Sequence, residues 1–353
     1  MTRVWIDSWT RWVEGRDASA AGAVMRIILG IASLFYGAGV RARNFGYDSK
    51  ILPAHRVPVP VISIGNLSLG GTGKSPLTVW CAKTLLAMGK KHAILSRGYG
   101  RSSSGSEALT VSHSGAVSGD AARFGDEPVM LARALRFVPV VVGADRVRSA
   151  RLAIETFKSD VLLLDDGFQH RRLHRDLDIL CFNESMFRAP DIFPRGVMRE
   201  PWSGISRAGC AAMKSQNGKI LRPLAIPTAL YKYRIREVEH FASGDILGAD
   251  WLKARTIFAA SAIAHPEDFE SMASESGAHI AGRERFPDHF SYGAPELDAL
   301  QRKAREHSAV LVMTEKDAVK LPAGYDAFIV KVGIEWIENE DVLKRMLSEA
   351  VKR

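Results

Sequence analysis

Cysteine is nearly absent: 3 occur in 353 residues. Cys81, Cys181 and Cys210 lie far apart, with no C-x-x-C pair, which excludes a disulfide framework and a thiolate metal cluster and suits a reducing compartment. Internal repeats are lacking, and the Ser/Gly-rich stretch 102–119 is the sole biased segment, so solenoid and low-complexity architectures are excluded. No aromatic RNA-binding motif and no zinc-finger spacing appears, which argues against nucleic acid as partner. Acidic residues fall short of basic ones, 39 against 48, and the resulting net charge of +9 favours an anionic partner. Composition leaves open whether that is a membrane surface, a phosphorylated substrate or nucleic acid. With 46% hydrophobic and 25% charged residues the chain reads as folded, and its length predicts two domains.

Long apolar runs are also scarce, and the one present carries a defect. Between Ala18 and Val40 the only charge is Arg26, and a helix over that stretch would reach ~34 Å, enough to cross a bilayer. Gly22, Arg26, Gly30, Ser33 and Gly37 nevertheless form a small or polar stripe opposite Val24, Ile27, Ile28, Ile31, Leu34 and Phe35. A mid-span arginine costs ~3 kcal/mol on the insertion scale, and apolar residues at roughly −0.5 each barely outweigh it. The pattern therefore predicts a helix lying in or dipping into one leaflet, anchored by Arg41 and Arg43, over a true span or a buried core helix. Trp5, Trp9 and Trp12 precede it on one helical face among arginines, as suits a headgroup zone, whereas a cleaved signal peptide fits poorly.

What the sequence does contain is a phosphate loop. A β-branched run (Val61, Ile62, Ile64) stops at Gly65, the glycine-rich segment Gly70-Gly71-Thr72-Gly73 follows, and Lys74-Ser75-Pro76 opens an apolar helix that halts at Gly89. Glycines let backbone N–H groups converge on phosphate oxygens, a lysine reaches the outer phosphates, and a serine hydroxyl suits Mg²⁺. The strict pattern wants glycine six residues before the lysine, where Ser68 stands. Farther on, Val161–Leu164 reads as a buried strand ending in Asp165-Asp166, the kind of strand end that holds Mg²⁺ in nucleotide hydrolases and kinases.

Strands at 93–96, 138–142, 161–164 and 179–182 alternate with helices at 129–135 and 146–157, which predicts right-handed βαβ units and a parallel sheet. Residues 102–119 read as a surface hairpin with weak strand character at 108–111. Past residue 222 an extended charged stretch, 229–241, leads into a second series: strands at 256–262, 279–286, 310–314 and 327–332, with helices at 266–276, 295–307 and 338–351. The expected division is a membrane-associated helix over 1–43, a nucleotide-binding domain over 44–227 and a smaller α/β domain over 228–353. Arg97 and Arg101 flank a Gly-Tyr-Gly turn at a strand end where open α/β sheets bind ligands, or mark a solvated basic turn. Asp126 starts a helix, so capping is one reading of it.

Together GNLSLGGTGKSP, SRGYGR, GDEPVMLA, DDGFQHRRLHRDLDI, PRGVMREP, FPDHFSY and TEKDAVKL resemble one family, the tetraacyldisaccharide 4'-kinases of lipid A synthesis, whose phosphate loop looks like this one. A departure lies at Ser261–Pro266, where the family tends to carry glycines. The resemblance implies a P-loop parallel-sheet α/β/α domain, a smaller α/β domain and a helix seated on the inner membrane. It implies transfer of the γ-phosphoryl of ATP to the 4'-hydroxyl of an acylated glucosamine disaccharide 1-phosphate by a monomer at the cytoplasmic face. By that resemblance Gly70, Gly71, Thr72, Gly73 and Lys74 hold phosphates, and Ser75, Asp165 or Asp166 and Glu200 hold Mg²⁺. Asp126, from the first domain, takes the sugar proton with His289, from the second, as partner. Arg97, Arg101, Arg171, Arg172 and Arg199 are candidates for the substrate phosphate or the transition-state charge.

The nearest alternative is a membrane-associated partition or targeting ATPase. Its loop wants a lysine where Leu69 stands. A GTPase would need lysine directly after Thr314, and Glu315 is there.

Overall fold

A computed structural model describes residues 3–13, 15–70, 73–98, 107–215, 218–220 and 222–352. Helices of eight residues or more are α1 (Arg3–Val13), α2 (Ala20–Asp48), α3 (Lys74–Ala87), α4 (Asp126–Ala134), α5 (Arg146–Phe157), α6 (Pro266–Glu275), α7 (Ala294–Glu306) and α8 (Glu340–Ala350). The strands are β1 (Val61–Gly65), β2 (His92–Ser96), β3 (Leu109–His113), β4 (Ala116–Val117), β5 (Val140–Val142), β6 (Val161–Asp165) and β7 (Leu177–Phe182). The chain continues through β8 (Cys210–Lys214), β9 (Thr228–His240), β10 (Asp245–Gly248), β11 (Thr256–Ser261), β12 (His279–Arg285), β13 (Val310–Thr314) and β14 (Phe328–Glu338).

Contacts divide the chain into two interleaved units: residues 1–96, 145–231 and 336–353, and residues 97–144 and 232–335. The contiguous division expected at residue 227 differs from this in two respects. Residues 336–353, which include α8, return to the first unit. The segment 97–144 groups with the C-terminal half, because α4 packs on the short helix Glu315–Ala318 and Arg133 donates a hydrogen bond to the Ala318 carbonyl at 3.0 Å. Asp126 and His289, expected in different domains, thus belong to one unit.

In the first unit β2, β6, β1, β7 and β8 run parallel in that order, and the start of β9 adds beside β8. Every residue of β1, β2, β6 and β7 is buried, as a sheet covered on both faces requires. Helix α3 turns Leu77, Cys81 and Leu85 inward at four-residue steps and packs on β1, β2 and β6. Strand β6 lies directly beside β1, with Ile64 opposite Asp165, so the phosphate loop and the acidic strand end emerge side by side. Two glycines permit the close passage there. A Cβ on Gly65 would stand 2.6 Å from Phe168 Cβ, and one on Gly167 2.5 Å from Leu164 Cβ.

Helix α2 carries its small residues against the protein. Ser33 donates to the Ile192 carbonyl at 2.7 Å, Gly37 approaches Ile192, and Gly22, Leu29, Gly37 and Gly46 are buried. The apolar residues opposite stay open, with Ile27, Leu34 and Phe35 exposed by 64%, 71% and 77%. A buried core helix is thereby excluded. Trp9 Nε1 donates to the Pro194 carbonyl at 2.8 Å and Trp12 Nε1 to Asp17 at 3.1 Å, while the Trp5 side chain lies outside the described residues.

The second unit has a parallel sheet in the order β12-β11-β13-β14. Alternation places Phe258, Ala260, Leu311 and Met313 in one core with α7, and Ile257, Ala259 and Val312 in another with Phe269 of α6. Strands β3 and β4 form the expected hairpin, but β3 also pairs antiparallel with β5 and buries Val111, so it is not a surface feature. The sequence reading also missed β8, whose CAAMK stretch has no β-branched or aromatic residue to signal a strand.

Overpacking at a close backbone passage costs ~1–3 kcal/mol. Gly65→Ala and Gly167→Ala are each expected to lower the midpoint of denaturant unfolding accordingly, and an unchanged midpoint for both would show that the passage relaxes freely.

Candidate phosphate site and proton pair

The phosphate loop is built by β1 and α3. Gly73, left-handed at φ +81°, precedes the helix, so Lys74 and Ser75 are its first two residues and the loop ends at a helix N-terminus, where unpaired N–H groups and the helix dipole favour anions. Gly70 is left-handed at φ +89°, and Gly71 and Thr72 lie outside the described residues. Beside the loop, Asp165 ends β6, is buried, and accepts a hydrogen bond from Thr78 Oγ1 of α3 at 3.1 Å. Asp166 sits at φ +54°, a conformation that aspartate tolerates better than most residues. Lys74 Nζ lies 3.5 Å from Oδ1, and Arg199 Nη1 donates to both oxygens at 3.0 Å. Burial would raise the Asp166 pKa, but Lys74 and Arg199 outweigh it and hold the carboxyl below its ordinary value.

A hydrogen-bond chain runs on from Arg199. Its Nη1 also reaches Gln169 Oε1 at 3.3 Å, and Gln169 Nε2 donates to the Asn66 carbonyl and to Glu200 Oε1, each at 2.8 Å. Glu200 Oε2 accepts from Arg207 at 2.6 Å and Asn44 at 3.1 Å. Glu200, expected as a metal ligand, is thus buried with donors on both oxygens, and orders the network through them. Among the described residues no cluster of three His, Cys, Asp or Glu could hold a metal alone. Two expected substrate arginines are engaged elsewhere: Arg171 pairs with Asp48 at 2.6 Å and Arg172 with Asp145 at 3.2 Å. Arg97 is exposed in the second unit, and Arg101 lies outside the described residues.

In the second unit, Asp126 is the first residue of α4, and Gly125 holds the cap position with no side-chain bond. Capping therefore does not account for Asp126. Its Oδ2 instead meets His289 Nδ1 at 3.0 Å and Lys320 Nζ at 3.1 Å. Lys316 Nζ stands 3.3 Å from His289 Nε2 and 2.7 Å from Asp288. An ammonium only donates, so Nε2 accepts from Lys316, and the ring proton sits on Nδ1, donated to Asp126. His289 is left-handed at φ +63°, an uncommon backbone state held by these contacts. Burial raises the Asp126 pKa, but the His289 hydrogen bond and Lys320 overcome it, keeping the carboxylate ionised below its ordinary range.

The family model described as Tetraacyldisaccharide-1-P 4'-kinase matches residues 25–352. The chain belongs to the tetraacyldisaccharide 4'-kinase family. It is 40% identical over 309 residues to the Tetraacyldisaccharide 4'-kinase of Bdellovibrio bacteriovorus, covering 84% of this chain and 90% of that one. To the Tetraacyldisaccharide 4'-kinase of Anaeromyxobacter sp. strain Fw109-5 it is 36% identical over 356 residues, with 96% and 95% covered. The solved structure of LpxK from Aquifex aeolicus in complex with ATP matches with a TM-score of 0.78 at 31% identity, over 93% of this chain and 99% of that one. The fold class expected from the phosphate loop and the strand–helix alternation is the one found.

Within this kinase family's motifs, residues left without a role by the sequence reading turn out to carry the geometry. Lys316 and Lys320 of TEKDAVKL hold the proton pair, and Gln169 of DDGFQH couples Arg199 to Glu200. Their one signal was membership of a polar motif. Because Lys320 favours ionised Asp126, Lys320→Met is expected to raise the pH at which Asp126 protonates, read by carboxyl NMR. An unshifted titration would mean that Lys320 is a bystander.

Proposed function

We propose that this kinase transfers the γ-phosphoryl of ATP to the 4'-hydroxyl of a tetraacylated glucosamine disaccharide 1-phosphate in lipid A synthesis. The observation that carries the reading is a phosphate loop whose lysine shares Asp166 with Arg199, in a chain that also holds an ionised aspartate bonded to a histidine. Phosphoryl transfer asks a protein chiefly for positioning and charge stabilisation. Lys74 and the N-terminal amides of α3 bind the phosphates, and Arg199 adds positive charge beside them. Asp126 accepts the sugar hydroxyl proton as that oxygen attacks, and His289, with its Nδ1 proton on Asp126, orients the carboxylate and takes part of the charge.

The donor set suits Mg²⁺: the Ser75 hydroxyl and the Asp165 and Asp166 carboxylates are hard oxygen groups, and an ion that keeps its waters needs only one or two carboxylates. Bound there, Mg²⁺ would offset phosphate charge. Membrane association at the cytoplasmic face, where ATP is available, is supported by the open apolar side of α2, and a monomer suffices because each cluster draws on one chain.

The direct test is transfer of labelled γ-phosphate to a panel of acylated disaccharides in detergent micelles. Transfer should require the 1-phosphate acceptor; ATP consumption without acceptor would remove the kinase reading. Asp126→Ala and His289→Ala should each lower kcat by ~10²-fold or more, with the double variant little worse than the worse single one. Strictly additive losses would separate the two residues. For the membrane reading, the intact chain should float with anionic vesicles and a chain lacking residues 1–43 should do so more weakly; equal behaviour would place the anchor elsewhere.

A further inference from the structure

A second basic feature of the first unit lies apart from the residues assigned to the phosphate loop. An open pocket of about 470 Å³ is lined by Tyr47, Lys50, Leu52, Pro53, Ala54, Arg56, Arg171, His174 and Arg175. Its walls are tied together. The His55 amide donates to the Arg172 carbonyl at 2.7 Å, the His174 amide to the His55 carbonyl at 2.9 Å, and the Leu52 amide to the Gly46 carbonyl at 2.8 Å. Arg43 and Arg171 lie over the Tyr47 ring at 5.4 and 5.2 Å from its centroid. Such a framework fixes Arg171 and the backbone segments that carry Lys50 and Arg56.

The charges do not cancel. Arg171 is paired with Asp48 and Arg175 with Asp178, but no ion pair among the described residues engages Lys50 or Arg56. The field is felt by His174. Burial lowers its pKa, and Arg56 and Arg175 push the same way against Asp176 and Asp178. Apolar side chains stand at the same end of α2: Phe45 and Ile51 are exposed by 66% and 71%, and Leu52 folds over Gly46 at the pocket wall. Uncompensated cations beside open apolar residues complement a phosphate that carries acyl chains.

We propose that this pocket binds the headgroup phosphate of an anionic membrane phospholipid, seating the C-terminal end of α2 at the lipid surface. The proposal rests on the membrane association argued above and adds to it a defined site, separate from the residues assigned to ATP and to the proton. Phosphate oxygens meet Lys50 and Arg56, Tyr47 lies along the glycerol, and the acyl chains run toward Phe45 and Ile51.

The test is co-sedimentation of the full chain with vesicles of phosphatidylcholine alone or with added phosphatidylglycerol. The intact chain should prefer the anionic vesicles. Lys50→Gln with Arg56→Gln should reduce that preference by about 5-fold per charge. Ala54→Trp fills the pocket at constant charge and should abolish the preference equally, whereas a diffuse field would leave it intact and overturn the proposal. Binding to neither vesicle would overturn the membrane reading together with this one; equal binding to both would overturn this one alone. Acceptor KM in detergent micelles should be unchanged in Ala54→Trp. A raised KM would assign the pocket to the acceptor's own phosphate, and release of bound protein by inorganic phosphate with no difference between the vesicles would assign it to the free ion; either result contradicts a headgroup site.

Discussion

The functional end of the first unit depends on one carboxylate, Asp166, shared between two cations. Without it, Lys74 and Arg199 would repel each other at the phosphate loop. With it, both are held in place before any nucleotide arrives, and the carboxylate stays ionised despite partial burial. Asp166 takes a left-handed backbone, and its carboxylate meets Lys74 and Arg199 while that of Asp165 accepts from Thr78. Close passage of Gly167 against Leu164 fixes that turn, and β6 beside β1 fixes its distance from the loop. Strain, glycine and strand order thus serve a single electrostatic arrangement.

The second unit applies the same physics to a proton. A half-buried aspartate would drift toward its neutral form, which cannot accept the hydroxyl proton. Lys320 and His289 prevent this, while Lys316 sets which histidine nitrogen carries the hydrogen. In both units a carboxylate is kept charged by two basic neighbours, and in both the carboxylate or its partner sits at a left-handed residue. The Ser261–Pro266 stretch, where the family's glycines are missing, does not disturb this unit: the Ala262 amide finds the buried Asp317 carboxylate at 2.9 Å.

Much of this was legible in the sequence because period and punctuation speak plainly where a strand meets a glycine loop. Strands of four or five β-branched or aliphatic residues, the Lys-Ser-Pro helix start and the Asp-Asp strand end placed β1, α3 and β6 within a residue or two. Asp126 and His289 could be paired only through the family resemblance, since nothing in their spacing brings residues so far apart together. Glu200 reads in the sequence as an acidic residue between arginine and proline, and the three donors from Asn44, Gln169 and Arg207 that converge on it are brought together only by the fold. The grouping of 97–144 with the second half was hidden for the same reason: an interleaved unit leaves no composition shift at its borders.

The central claim is that the phosphate loop, Lys74 and the Asp165-Asp166 strand end form one Mg²⁺-dependent ATP site. Calorimetric titration of ATP, with and without Mg²⁺, into the intact chain and into Asp166→Asn addresses it directly. The account predicts that Mg²⁺ strengthens ATP binding to the intact chain and does so far less in the variant. Equal Mg²⁺ dependence in the two proteins, with the variant folded, would contradict it.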